Sequence, residues 1–163
     1  KANAMGLEVR SISDLEGERI NQLLTQLDDD ERGCFMHVLS ENRRVSSFQT
    51  ALELGGDVSR TLGQELSDSH ISLRDDYRVS CAELDFIVNA LDDQLGVRGA
   101  RMVGGGFGGH VLALIESAQA EAAHLAVSAA FQSNYNRELP MHRVAFTNGV
   151  GLLDFAVVSG AVG

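Results

Sequence analysis

Apolar residues recur at helical spacing through most of the first 95 positions. In residues 31–54 they fall three, four and seven positions apart, which predicts one long amphipathic helix. These positions are Phe35, Val38, Val45, Phe48 and Leu52. Gly55 and Gly56 follow directly, and we expect them to end this helix.

Two further helices are predicted after these glycines. Asp57 is expected to cap the first of them. Its inward face would carry Val58, Leu62, Leu66, Ser69 and Leu73. Asp75 and Asp76 break the pattern, and Ser80 with Glu83 three residues later forms a capping box for the next helix. The apolar stripe of that helix consists of Leu84, Ile87, Leu91 and Leu95.

The chain start is less regular. Residues 16–27 predict a short helix, and the alternation in residues 7–12 favours a strand. Residues 1–6 lack the apolar segment of a signal peptide. We interpret Asn3-Ala4-Met5 as an expression remnant ahead of an initiator methionine, and we expect a single domain over residues 7–163.

After Gly96 the pattern changes. Residues 101–103 and 111–115 are short apolar runs beside a glycine cluster, which favours buried strands. Residues 117–136 are rich in alanine and predict a helix, and residues 141–146 predict another strand. The inward positions of this helix are expected to be Ala118, Ala122, Leu125 and Ala129. Helices followed by a small sheet indicate an α+β fold.

Charge narrows the function classes. The chain has 13 Lys+Arg against 23 Asp+Glu, a net charge of −10, and its only lysine is Lys1. An acidic domain is a poor ligand for nucleic acid or for an anionic membrane. The lack of an internal lysine excludes a P-loop lysine and a Schiff base. No apolar run is long enough to span a membrane, and we expect a cytoplasmic protein whose two cysteines stay reduced.

The metal-binding and disulfide-forming residue types give no site. The five histidines show no metal-ligand spacing, so no metal site is predicted. Cys34 and Cys81 make no disulfide framework and fall in apolar periodic segments, so we expect reduced thiols in the core.

Five of the six residues in Gly104–Gly109 are glycine, and the segment contains G-x-G-x-x-G. A dinucleotide-binding loop needs a helix directly after it and an acidic residue about 20 positions later. Here a strand is predicted next, and Ala129-Ala130 stands near the acidic position. A glycine-rich hairpin turn stays open. Five glycines exceed what a hairpin needs, however, which indicates close approach of another backbone or a ligand.

The surrounding residues carry a family resemblance. Residues 99–109, which read GARMVGGGFGG, resemble the third signature motif of the galactokinase branch of the GHMP small-molecule kinases. Residues 69–85, which read SHISLRDDYRVSCAELD, resemble the segment between two helices of the C-terminal domain in that branch. Weaker similarities are ENRRV at residues 41–45 and GVG at residues 149–151. The matches span roughly residues 7–155 in family order.

The resemblance implies a ferredoxin-like C-terminal domain, with helices packed on a small antiparallel sheet. The parent enzyme would transfer the γ-phosphate of ATP to the anomeric hydroxyl of galactose with Mg²⁺. The family's sugar motif, phosphate loop and catalytic aspartate belong to an N-terminal domain that has no counterpart in this sequence. We therefore expect no catalytic residue and no bound cofactor in this chain. Sugar and ATP would be bound through the missing domain.

In this resemblance the glycine loop braces the phosphate loop and the substrate pocket. The residues concerned are Gly104, Gly105, Gly106, Phe107, Gly108 and Gly109, with Phe107 packing under the loop. Arg74, Asp75 and Asp76 fit either a contact at the domain interface or a helix end with a local ion pair. Two departures stand out: His110 replaces a frequent cysteine and Ala82 replaces a usual proline.

Two alternatives from other functional classes remain. The parent could be a catalytically inactive regulator or sugar sensor, or the chain could be a freestanding interaction domain. The surface that an N-terminal domain covers in the family is expected to be partly apolar, which favours self-association.

Overall fold

The protein is described from a computed structural model, which covers residues 2–6 and 8–144. In chain order its elements are α1 (Glu18–Leu24), α2 (Asp29–Leu54), α3 (Ser59–Asp75), α4 (Ala82–Asp92), β1 (Val97–Val103), β2 (His110–Ile115) and α5 (Ala120–Tyr135). Short 3-10 turns lie at Asn3–Met5 and Ile12–Asp14. The predicted α+β fold is confirmed, with helices preceding and following a two-stranded antiparallel sheet.

The long helix α2 matches its prediction in extent but only partly in burial. Asp28 caps it, with Oδ1 accepting from the Glu31 amide at 2.9 Å. Phe35 is buried, whereas Val45 is 65% and Leu52 is 56% exposed. The second half of α2 therefore leaves much of its apolar stripe uncovered within the part of the chain that the structure describes.

Both predicted helix caps differ from the structure. The N-cap position of α3 is Val58, although Asp57 Oδ1 still accepts from the Ser59 amide at 3.1 Å. The capping box at Ser80 is wrong, because Cys81 occupies the N-cap position of α4. The Ser80 hydroxyl instead donates to Asp85 Oδ1 at 2.5 Å.

The sheet is a hairpin whose strands are longer than predicted. β1 and β2 pair antiparallel, with Met102 opposite Val111 and Val103 opposite His110. Helix α3 packs closely on β1, where a Cβ on Gly99 would lie 2.9 Å from the Cα of Gly63. Only glycine leaves room for this approach of helix to strand.

Three apolar clusters hold the elements together. The largest joins α4, β1 and α5 through Ile87, Val88, Leu91, Ala100, Val127 and Phe131. A second joins α3, α4 and β1 through Leu73, Leu84 and Met102. A third packs α1 against the start of α2 through Leu15, Leu23 and Phe35. The second cluster contains Met102, which lies two residues before Gly104.

Helix α5 presents a different face to the core from the one predicted. Ala123, Val127 and Phe131 are buried, whereas Leu125 is 61% exposed and Ala122 and Ala129 are exposed too. Phe131 stacks with Tyr135 at a centroid distance of 4.7 Å, and Tyr135 meets Phe86 of α4 edge-on. Aromatic rings bury far more area than alanine, so they set the rotation of the helix.

The two predicted outer strands are not found among the described residues. Residues 8–11 form no strand, and Ile12 begins a 3-10 turn. Residues 141–144 form no strand either, and the rest of that prediction lies outside the described residues, as do Leu7 and residues 149–151.

The structure also bears on the predictions about buried thiols and about membrane-spanning segments. Cys34 is exposed and Cys81 half-buried, so a core position is wrong for Cys34, although both are free thiols. Among the described helices, none combines the length and the apolar character that a membrane crossing requires.

Candidate functional site

The glycine loop joins β1 to β2 and has an unusual backbone. Gly104, Gly106, Gly108 and Gly109 have φ values of 97°, 85°, 132° and 108°. Residues with a Cβ rarely adopt this region, so these four positions require glycine for conformation alone. Phe107 shares it with φ 57°. The backbone conformation of the loop therefore accounts for four of its five glycines.

The loop is fixed to the segment between α3 and α4. The Phe107 amide donates to the Val79 carbonyl oxygen at 2.7 Å. A Cβ on Gly106 would lie 2.7 Å from the Val79 Cβ and closer still to its carbonyl oxygen. Gly106 is thus required twice, for its φ and for its contact with Val79.

The other side of the loop is open. Added Cβ atoms on Gly104, Gly105 and Gly108 would meet no heavy atom of the described residues within 4 Å. The expected packing of Phe107 under the loop is wrong, because its side chain is 77% exposed. The backbone of Gly106 occupies the space against Val79, which leaves the ring outside.

Arg74, Asp75 and Asp76 do not form one cluster. Arg74 makes a bidentate pair with Asp75, at 2.7 and 2.8 Å, and this pair lowers the pKa of the Asp75 carboxyl. Asp76 accepts instead from the Ser72 hydroxyl at 2.7 Å. Arg74 and Asp75 form a local ion pair at a helix end, and a contact at the domain interface stays a prediction.

Glu41 of α2 contacts two arginines. Its carboxylate meets Arg44 Nε at 2.6 Å and Arg101 Nη1 at 3.2 Å. Burial raises the pKa of Glu41, but Arg44, the nearby Ser69 hydroxyl and the charge of Arg101 together hold it below its usual value. The contact ties α2 to β1 three residues before Gly104. Glu41 and Arg101 both lie in segments that resemble the family, but nothing in the sequence pairs them across 60 positions.

Two buried histidines were also missed as polar anchors. His70 is 2% exposed, and its Nδ1 accepts from the Met102 amide at 3.3 Å. His37 is 7% exposed, stacks on Tyr77 at 4.6 Å, and its Nδ1 lies 3.0 Å from the Ser72 hydroxyl. Burial lowers the pKa of both imidazoles. The sequence feature that could have indicated burial of His70 is its position next to Ser69, which was predicted on the inward face of α3.

His110, the residue that departs from the family pattern, begins β2 and is exposed. In residues 2–6 and 8–144 there is no group of His, Cys, Asp or Glu arranged to hold a metal ion. The open side of the loop therefore presents bare glycine backbone and the exposed Phe107 ring.

Comparison with known proteins places these features. Residues 56–133 match the family model "GHMP kinases C terminal". A galactokinase of Thermotoga neapolitana is 42% identical over 127 residues, covering 78% of this chain and 36% of the relative. A galactokinase of a Roseiflexus species is 33% identical over 143 residues, covering 88% of this chain and 36% of the relative. The chain thus spans about a third of the length of these relatives.

A solved galactokinase structure is similar to this chain in three dimensions as well. The crystal structure of Lactococcus lactis galactokinase complexed with galactose is similar with a TM-score of 0.75 and 31% identity. The similarity covers 83% of this chain and 35% of that protein. The family match includes α3, α4 and the whole glycine loop. The chain belongs to the GHMP kinase family, as a C-terminal domain similar to that of galactokinases.

Proposed function

We propose that this chain is the C-terminal domain of a sugar kinase that transfers the γ-phosphate of ATP to the anomeric hydroxyl of galactose. The observation that carries the proposal is the similarity to galactokinases over most of the chain. The likeness to a galactokinase structure that contains galactose supports the choice of sugar. The two free thiols are compatible with a reducing cytoplasm, where we place the reaction.

In the proposed enzyme the glycine loop braces the phosphate loop of the N-terminal domain. Its outer side presents Gly104, Gly105 and Gly108 with open space above them. A bare backbone lets a second loop lie closer than any side chain would allow. Phosphoryl transfer depends mainly on positioning and on charge stabilisation, so a brace of this kind affects turnover without moving a proton.

The metal and the nucleotide belong to the rest of the proposed enzyme. The part of the chain that the structure describes has no group of carboxylates arranged to hold Mg²⁺. Mg²⁺ and most of the ATP contacts are assigned to the N-terminal domain. Arg74 and Asp75 are partly exposed at the end of α3, and we propose that they contact that domain.

The test is a coupled assay of ADP release with the complete protein, that is, this chain together with its N-terminal domain. We expect turnover with galactose and Mg²⁺-ATP, and little with galacturonate, arabinose or N-acetylgalactosamine. Turnover with one of these other sugars and not with galactose would correct the substrate. Galactose binding without turnover would favour the inactive sensor over the kinase.

A second arm uses this chain alone. Isothermal titration calorimetry with ATP should show no binding in the micromolar range, because the proposed nucleotide contacts lie in the other domain. Micromolar affinity for ATP would contradict that assignment. Restoration of turnover when a separate N-terminal domain is added would support the division of roles between the domains.

A further inference from the structure

The strand that leads into the glycine loop is held by a buried imidazole. Met102 lies in β1, two residues before Gly104, and its amide donates to Nδ1 of His70. A backbone amide can only donate, so Nδ1 is an unprotonated acceptor. The neutral imidazole therefore carries its proton on Nε2, and this tautomer is assigned by the Met102 contact.

The other ring nitrogen faces helix α4. His70 Nε2 lies 3.2 Å from Asp85 Oδ1, in an oblique geometry that falls short of an aligned hydrogen bond. The same carboxylate oxygen accepts from the Ser80 hydroxyl. One buried imidazole on α3 therefore bridges β1 and α4, where it meets a carboxylate that is partly exposed.

These contacts lead back to the segment between α3 and α4 that also holds the glycine loop directly. Ser80 follows Val79, and the Val79 carbonyl accepts from the Phe107 amide in the middle of the loop. The loop is thus held by two routes, one that ends at Val79 and one that ends at the adjacent Ser80. One route is direct, through Phe107. The other runs from Met102 through His70 and Asp85 to Ser80.

We propose that His70 is a positioning residue that sets the glycine loop, and that protonation of its imidazole releases the strand leading into the loop. The anchoring is a property of this chain. Its consequence for phosphoryl transfer rests on the proposed function. The protonated ring would present an N–H toward the Met102 amide, and two donors cannot pair.

The charges around the ring favour the neutral form at neutral pH. Burial lowers the pKa of His70, and Arg74 and Arg101 lower it further. Asp85 acts in the opposite direction through its charge and its contact with Nε2. Because the folded-state pKa lies below the unfolded value of about 6.5, the anchor is intact above that pH and weakens as the pH falls below it.

The first test is amide hydrogen exchange of Met102 and Phe107 in this chain between pH 7.5 and 5. Between 6.5 and the folded-state pKa we expect protection, corrected for intrinsic exchange, to fall by up to about tenfold per pH unit. ¹⁵N shifts of the His70 ring in the unaltered protein should show the Nε2–H tautomer, and the fall in protection should level off at the pH where the ring titrates.

Two variants separate the two nitrogens. In His70→Asn the amide oxygen replaces Nδ1, so protection of Met102 and Phe107 should stay near the original value and lose its pH dependence. In His70→Gln the side chain reaches toward Asp85 and supplies no acceptor at Nδ1, so protection should already be reduced at pH 7.5. His124→Asn, which removes a histidine from α5, is the matched control and should behave like the original protein.

The proposal is overturned if His70→Asn and His70→Gln change protection equally, or if protection stays constant between pH 6.5 and the pH at which the ring titrates. In the complete enzyme, His70→Gln should lower kcat more than it raises KM for the sugar, and His70→Asn should restore kcat. If the exchange results hold and no kinase activity exists, only the proposed function fails. If activity exists and the exchange results fail, only the positioning role does.

Discussion

Gly63 of α3 and Gly99 of β1 meet backbone to backbone. A Cβ on Gly99 would overlap the carbonyl oxygen of Gly63, and a Cβ on Gly63 would lie 2.8 Å from the Cβ of Arg98 and closer to its carbonyl oxygen. Neither glycine has a positive φ, so the requirement is for space alone. The contact brings α3 close enough for His70, seven residues later on the same face, to reach Met102.

We first predict that Gly99→Ala destabilises the chain by about 1–3 kcal/mol, because the added methyl must push α3 away from β1. Gly99 is a cleaner site than Gly63, where alanine would regain about 1 kcal/mol of helix propensity. The control is Gly105→Ala, which enters open space and should change stability little. Urea unfolding followed by circular dichroism measures both variants, and equal midpoints would contradict the close-contact argument.

The second prediction concerns the loop itself. Gly106→Val forces a β-branched residue into φ 85° and against Val79, so the loop must move while the rest of the domain folds. A displacement of about 1 Å at a site that positions phosphoryl groups costs on the order of 100-fold in turnover. The complete enzyme should therefore lose kcat, whereas circular dichroism of the variant stays unchanged. Unchanged turnover would remove the brace from the proposed mechanism.

The sequence predicted those elements whose apolar residues contrast with polar neighbours. Helices α3 and α4 were found because Leu62, Leu73 and Leu84 stand among charged residues and are buried as expected. Helix α5 was predicted, but the wrong face was expected to be buried, because a run of alanines gives almost no contrast in hydrophobicity between the faces. Its orientation depends on Phe131 and on aromatic partners whose positions are set by the tertiary fold.

In the candidate site, too, local features could be predicted from the sequence and long-range contacts could not. The backbone requirement of the glycine loop follows from local composition. The contacts that hold the loop join residues 32 positions apart for Met102 with His70, and 60 positions apart for Arg101 with Glu41. Pairing at such separations is decided by how helices pack, so a single sequence shows the polar residues and does not show their partners.

The third prediction tests the Glu41 contact. Glu41→Gln keeps the shape but leaves Arg44 and Arg101 without their carboxylate, which should cost about 1–3 kcal/mol. Because the pKa of Glu41 is lowered in the folded state, its contribution is present above the unfolded value and is lost as the pH falls through the folded value. Glu53→Gln, on the same helix and exposed, is the control. Equal stability of both variants between pH 7 and 3 would contradict the contact.

The fourth prediction concerns self-association of this chain in isolation. Phe107 and Val144 are 77% and 73% exposed, and exposed apolar side chains favour association when no other domain covers them. Size-exclusion chromatography with light scattering should show a mass that rises with concentration. Phe107→Ser should reduce that rise, whereas a constant monomer mass in the unaltered chain would contradict the prediction.

The fifth prediction is the acid dependence of stability. Burial lowers the pKa values of both His37 and His70, so below about 6.5 the unfolded chain binds more protons than the folded one. Stability should therefore fall from pH 7.5 to 5.5, each histidine contributing at most about 1.4 kcal/mol per pH unit. His37→Phe keeps a ring against Tyr77, and Ser72 still donates to Asp76. This variant should remove about half of the histidine-dependent slope at those pH values.

A double variant completes this test, because the two histidines lie in separate contacts of α3. His37→Phe combined with His70→Asn should flatten the dependence above pH 5.5, since the remaining stabilising carboxylates titrate at lower pH. Urea midpoints at five pH values measure the slope, with His124→Asn as the control. If the double variant keeps the original slope, the acid sensitivity arises from other groups and the buried imidazoles are not its source.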